Sequence, residues 1–244
     1  MKIKNICLLM LALGLGTAQA ADVGAMLRDA DRYRAGAEQQ QQIDTQVEVL
    51  NADGSVDKER RYTVLSQSGH RSLVLMQSPA DKGQKVLMLG DDFWLLMPGS
   101  QRPMRITPTQ KLLGDASTGD IATLSWAEDY EGELLGEERC GEAACLHLSL
   151  KARRKSVSYQ RIELWMGKQH HEPFRAELYV QSEKLAKQAS FVLDKARSMV
   201  LEMALQDALS NKKLTHVRYL ARKPRQVPEA WFNPMFLARS PSLE

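Results

Sequence analysis

The chain has 244 residues with 33 Lys+Arg against 30 Asp+Glu, a formal charge of +3. Hydrophobic residues make up 43% and charged residues 26%, an ordinary globular composition that argues against a disordered, collagen-like or coiled-coil chain. The balanced charge argues against a nucleic-acid binder. Three cysteines are too few for a disulfide-built miniprotein or a four-cysteine zinc module.

The first segment in chain order is an export signal by its layout. Lys2 and Lys4 precede an apolar run from Ile6 to Gly16, and Ala18-Gln19-Ala20 has the small-residue pattern of a cleavage site. The run is too short to span a bilayer, which takes about 20 apolar residues. Cleavage between Ala20 and Ala21 removes residues 1–20, with two of the 33 Lys+Arg, and takes the 244-residue chain to 224 residues at +1. No cysteine stands at the cleavage point for lipid anchoring, so the expected product is a periplasmic protein of one domain over 21–244. Its two remaining cysteines, Cys140 and Cys145, are expected to pair in an oxidising compartment. So short a loop contributes about 2 kcal/mol on the chain-entropy estimate.

Asp22 to Ala35 reads as a helix, with Val23, Met26, Leu27 and Ala30 at helical spacing and Asp22 as its cap. Gln39 to Gln42 reads as the exit from that helix. From Ile43 the period changes to two, and runs near 43–49, 61–67, 72–77, 85–89, 93–97, 132–138, 146–151, 157–166, 174–181, 188–193, 197–205 and 214–220 read as short strands between turn signals. That predicts a mainly β chain with short helices (α+β): one antiparallel sheet large enough to curl into a barrel or half-barrel. Lys111 to Ala127 suggests a short helix, and Pro224 to Glu244, with Trp231, Phe232 and Met235, a docked terminal helix or a strap.

One face of several strands is apolar. Ile162, Leu164 and Met166 alternate with Arg161, Glu163 and Trp165; Phe174, Ala176, Leu178 and Val180 alternate with Arg175, Glu177 and Tyr179; Met199, Leu201 and Met203 form a third row. Nine of the eleven methionines follow the cleavage point, and six of them fall in strand-like runs: Met76, Met88, Met97, Met166, Met199 and Met203. Methionine adapts to irregular partners, so this face is either an ordinary filled core or the lining of a lipid cavity.

The stretch 78–120 carries a resemblance. Pro79, Lys82-Gly83, Trp94-Leu95-Leu96-Met97-Pro98, Arg102-Pro103-Met104-Arg105-Ile106, Gly114-Asp115-Ala116-Ser117 and Gly119-Asp120 follow one another in the order seen in the outer-membrane lipoprotein-sorting family of LolA and LolB. Segments 159–165, 173–179 and 184–187 look like the family too. The spacing Arg-x-x-Arg-Ile and the sequence Gly-Asp-Ala-Ser depart from its usual Arg-x-Arg-Ile and Gly-Ser/Asp-Asp. The resemblance implies an incomplete barrel lidded by short helices around an apolar cavity. It also implies a non-enzymatic carrier of lipid or lipoprotein acyl chains, with no cofactor, acting as a monomer with an inner-membrane RND-type transporter or an outer-membrane acceptor. The same half-barrel is similar to the N-terminal part of RseB, which leaves a sensor or interaction module as the alternative. The expected lining is Leu95, Met97, Ile162, Leu164, Met166, Leu178, Val180, Met199 and Met203.

The remaining signals are weak. Asp91, Asp92, Asp115, Asp120 and Asp129 lack EF-hand spacing and read as turn and cap residues. His170-His171 reads as a solvated turn, and no G-x-S-x-G, P-loop or H-E-x-x-H occurs. The basic run Lys212, Lys213, Arg218, Arg222, Lys223 and Arg225 is either a solvated face or a contact for acidic lipid headgroups.

Overall fold

The computed structural model describes residues 22–36, 40–122, 125–208 and 214–239. The signal segment with Ala20 and Ala21, and Leu124, Lys212 and Lys213, lie outside them. Asp22 accepts a hydrogen bond from the amide of Ala25 (3.0 Å) and starts helix α1 (Val23–Ala35), which ends at Gly36 with φ 89°. Six strands follow as a meander: β1 (Gln40–Leu50), β2 (Val56–Gln67), β3 (Arg71–Met76), β4 (Lys85–Leu89), β5 (Asp92–Leu96) and β6 (Met104–Ile106). A second meander ends the sheet: β9 (Tyr130–Cys140), β10 (Ala143–Ala152), β11 (Arg161–Gly167), β12 (Pro173–Tyr179), β13 (Leu185–Leu193), β14 (Val200–Asp207) and β15 (Leu214–Pro224).

The two meanders join through β1 and β15, which pair antiparallel from Gln41 with Pro224 to Leu50 with Leu214. The result is one 13-stranded antiparallel sheet whose two edges, β6 and β9, do not pair. A twisted sheet of this size curls, so the molecule is an incomplete barrel. Residues 107–129 carry the chain from one edge to the other. They form a small hairpin, β7 (Lys111–Leu113) with β8 (Ala116–Ser117), then two short helices, α2 (Thr118–Ala122) and α3 (Trp126–Asp129). The predicted short helix over 111–127 is therefore a hairpin plus α2 and the start of α3. The glutamines at 40–42 belong to β1, because Gln41 and Gln42 pair with β2 and β15 and are buried.

The larger core lies on the inner face and gathers residues from both meanders, α1, α2 and α3. A smaller core lies on the outer face of β2–β5. There Leu65, Leu73, Leu75, Leu87 and Leu96 pack against Val227, Phe232 and Leu237 of the C-terminal strap, two 3-10 turns at Glu229–Phe232 and Pro234–Arg239. Strands covered on both faces read as continuous apolar runs, which accounts for Leu73-Val74-Leu75-Met76 and Val86-Leu87-Met88. Arg71 pairs with Glu229 and stacks over Phe232, fastening the strap to β3. Cys140 and Cys145 form a disulfide across the β9–β10 turn, Cα–Cα 5.9 Å, where Gly141 takes φ 67°.

Candidate functional site

The inner face of β10–β14 presents Leu148, Leu150, Ile162, Leu164, Met166, Ala176, Leu178, Ala189, Met203 and Leu205, all buried. Its roof is thin. It consists of α1, whose Leu27 and Ala30 point into the core, and the short α2 and α3. Burial of few apolar residues per helix leaves such a roof dependent on its polar fastenings.

Those fastenings converge on Asp31 and Arg34, one turn apart on α1. Asp31 accepts hydrogen bonds from the amides of Trp126 (2.8 Å) and Ala127 (2.9 Å) and from the Ser125 hydroxyl (2.9 Å). It therefore ties α1 to the N-terminus of α3, where amide hydrogens lack helical partners. Burial pushes the Asp31 carboxyl up, against the lowering influence of Arg34 and these hydrogen bonds. Arg34 lies 3.8 Å over the Trp126 ring, and Trp126 meets Phe191 of β13 edge-on at 5.7 Å. Arg222 of β15 donates to the carbonyls of Arg34 (3.0 Å) and Val200 (2.7 Å), and burial lowers its pKa.

The other end of the roof is polar. Asp120 of α2 makes a buried ion pair with Lys187 of β13 (2.6 Å) and accepts from the Tyr159 hydroxyl (2.8 Å) and Ser117. Tyr130 donates to the Tyr159 carbonyl (3.0 Å). Burial, then the charge of Asp120, raises the Tyr159 phenol far above its ordinary value, so it stays protonated and can donate to Asp120. Asp129, fully buried, pairs with Arg154, which also holds Asp91.

Between roof and sheet is a cavity of about 50 Å³, lined on one side by Ile162, Leu178, Ala189, Phe191 and Met203 and on the other by Arg34, Asp120, Trp126 and Tyr159. That volume holds only a few waters and is far below the roughly 300–1,000 Å³ of a ligand pocket. On the far side of α1 an open cleft of about 690 Å³ runs between α1, the β2–β3 turn and α3. Asp31 and Ser125 border the cleft, while Arg34 borders the cavity. The fastened roof is thus the partition between the two.

A family model whose description reads "uncharacterized protein" matches residues 68–239, well over half of the chain. The crystal structure of a LolA superfamily protein from Nitrosomonas europaea superposes with a TM-score of 0.78 at 29% identity, covering 88% of this chain and 98% of that one. The chain belongs to the LolA-like family. Two more distant likenesses show the same fold. A putative outer membrane lipoprotein-sorting protein domain from Vibrio parahaemolyticus has TM-score 0.68 and 19% identity over 88% of this chain and 98% of that one. A DUF1329 family protein from Desulfovibrio piger has 0.67 and 21% over 86% and 95%. No curated protein matches the chain.

In this LolA-like frame the expected lining residues separate. Ile162, Leu164, Met166, Leu178 and Met203 are buried in the inner core, and Leu95 packs against it half-buried. Of these, Ile162, Leu178 and Met203 border the cavity. Met97 does not join them: β5 ends at Leu96, and Met97 is 38% exposed in the following turn. Val180 is half-buried just past the end of β12, and Met199 is half-buried in the turn before β14. Leu201 leaves the predicted row because β14 bulges there. Val192 pairs with Glu202 and Leu193 with Val200, so Val200 and Met203 point inward and Leu201 outward. Trp165, on the outer face, is sandwiched between His147 (4.3 Å) and Arg175 (3.6 Å) and donates to Glu138.

The roof residues Asp31, Arg34 and Trp126, and Phe191 on the sheet beneath them, carry no motif in the sequence, whereas Asp120 falls in the Gly119-Asp120 element of the family resemblance. Only the helical spacing of Asp31 with Arg34 hints at a pair. Among the described residues no group of three or more His, Cys, Asp or Glu is arranged to hold a metal ion. His171 instead contacts Asp29 of α1 (2.9 Å).

Proposed function

We propose that this protein is a periplasmic carrier that shields the acyl chains of a lipid or lipoprotein on its inner face, passing them between membrane-bound partners without catalysing a reaction. The observation that supports this most is the mismatch between the two sides of the cavity. The sheet side is broad, aliphatic and continuous across five strands, whereas the roof is three short helices held by the Asp31 clasp and the Arg34–Trp126 stack. At about 50 Å³ the cavity is too small for an acyl chain, so loading requires α1 and α3 to part from the sheet. Parting them joins the cavity to the open cleft beyond α1. Each methylene buried from water is worth about 0.8 kcal/mol, enough to offset the breaking of a few hydrogen bonds at about 1 kcal/mol each.

The test is lipid mass spectrometry on protein purified from the bacterial envelope, with uptake of a fluorescent fatty acyl probe. Bound lipid, or probe uptake that Phe191→Asp abolishes while cooperative unfolding persists, supports the carrier. A protein that carries no lipid and takes up no acyl probe sinks it, and tight binding of a transporter or anti-sigma-type segment to that same protein would favour an interaction module.

A further inference from the structure

The outer face of β13–β15 holds an apolar cluster that no core absorbs. Val192, Leu201 and Leu220 are 50%, 46% and 53% exposed on three consecutive strands of the sheet. Register places them together. Val192 of β13 pairs with Glu202 of β14, Leu201 precedes Glu202, and Glu202 pairs with Arg218 of β15, two residues from Leu220.

Two bulges create this cluster. In β14 the pairing skips Leu201. In β15 it skips Leu220, since Thr45 pairs with Tyr219 and Asp44 with Ala221. A bulge adds one residue to a strand and re-aims a side chain. Val200 and Tyr219, the residues before each insertion, are buried in the inner core, so both inserted leucines face outward.

The charge around the cluster is one-sided. Segments 192–202 and 217–225 carry Lys195, Arg197, Arg218, Arg222, Lys223 and Arg225 against Asp194 and Glu202 only. Several of these cations are engaged: Arg218 pairs with Glu48 and Glu202, Arg222 turns inward to carbonyls, and Arg197 pairs with Glu172. Lys195, Lys223 and Arg225 have no carboxylate partner among the described residues; Arg225 meets only the neutral Gln42. Lys195 lies in the β13–β14 turn, and Lys223 shares the outward parity of Ala221 next to Leu220.

We propose that this face is a docking surface for an anionic lipid bilayer, with Leu201, Leu220 and Val192 entering the interface and Lys195, Lys223 and Arg225 facing the headgroups. Aliphatic side chains ringed by lysine suit an interface that is apolar below and anionic at its surface. The surface lies on the opposite side of the sheet from the cavity, so a docked molecule keeps its roof free. The inference does not rest on the carrier reading.

Flotation of the purified protein with vesicles of phosphatidylethanolamine and phosphatidylglycerol tests it, against vesicles of phosphatidylcholine alone. The protein is expected to float with the anionic vesicles and to be released by salt. Leu201→Ser and Leu220→Ser should each weaken binding about tenfold, and Lys195→Gln or Lys223→Gln about fivefold each. None should change the melting temperature or the uptake of acyl probe by more than a surface change does. Failure of the wild-type protein to float with anionic vesicles overturns the proposal. So does binding that the two leucine variants leave unchanged, and so does a dimer that those variants dissociate, which would make a second copy the occupant.

Discussion

The sheet has two sectors that differ in what covers them. In β2–β5 both faces are buried, the inner by the core and the outer by the C-terminal strap. In β10–β14 the apolar core lies on the inner face alone, and the outer face is a polar lattice of Arg161 over Tyr179 and Arg175 over Trp165 over His147, with only the sandwiched Trp165 ring buried among them. The cavity borders the second sector, with Ile162, Leu178, Ala189, Phe191 and Met203. A sheet packed on both faces transmits strain and resists repacking. A sheet packed on one face, under a roof of short helices, is the place where an apolar surface can be uncovered at low cost.

The largest expected effect breaks the doubly covered sector. A chain ending at Arg225 loses Val227, Phe232 and Leu237 and leaves Leu65, Leu73, Leu87 and Leu96 facing water. Losing several buried side chains at about 2–5 kcal/mol each exceeds ordinary domain stability, so circular dichroism should show no folded protein. Within the intact chain, Leu87→Ala should cost about 2–5 kcal/mol by urea denaturation. Met203→Ala, beside the existing cavity and so with fewer packing partners, should cost about half as much; equal costs would show that the two sectors are packed alike.

The disulfide at the far edge of the second sector should matter less. Cys140→Ser with Cys145→Ser should lower stability by about 2 kcal/mol, and reductant should lower the melting temperature of the wild type to match. The smallest effect sharpens the account of the roof. The folded-state pKa of Asp31 is raised by burial, so the native protein binds more protons there than the unfolded chain. Stability therefore falls as pH rises from the ordinary carboxylate value through the raised one. Asp31→Asn should flatten that slope in a pH series of urea melts and leave stability little changed at low pH.

Particular residues show how far the sequence could be read. Ile162, Leu164 and Met166 are buried on one face as their alternation predicts, because β11 runs in unbroken register with β10 from Arg161 to Gly167. The same pattern at Met199, Leu201 and Met203 misleads, because a bulge shifts parity by one and alternation has no symbol for an inserted residue. Met97 misleads for a simpler reason: the apolar run outlasts the strand by one residue. Gln40 to Gln42 are polar, yet neighbouring strands on both sides satisfy their backbones, so tertiary pairing overrode composition.

By itself the sequence determined the periods. Period two over most of the chain, turn signals every few residues, one amphipathic helix and a spaced cysteine pair were enough for a curled antiparallel sheet with little helix and a disulfide; the lid came from the family resemblance. Local backbone geometry sets those periods, and local geometry is written residue by residue. Tertiary structure decided which apolar residues meet each other. It put the strap on the outer face of β2–β5, Asp31 on the amides of α3, Lys187 on Asp120 and two leucines outside the sheet. Each of these joins positions far apart in the chain or depends on a register shift. A face becomes filled core, cavity or exposed surface only when the element that covers it is in place.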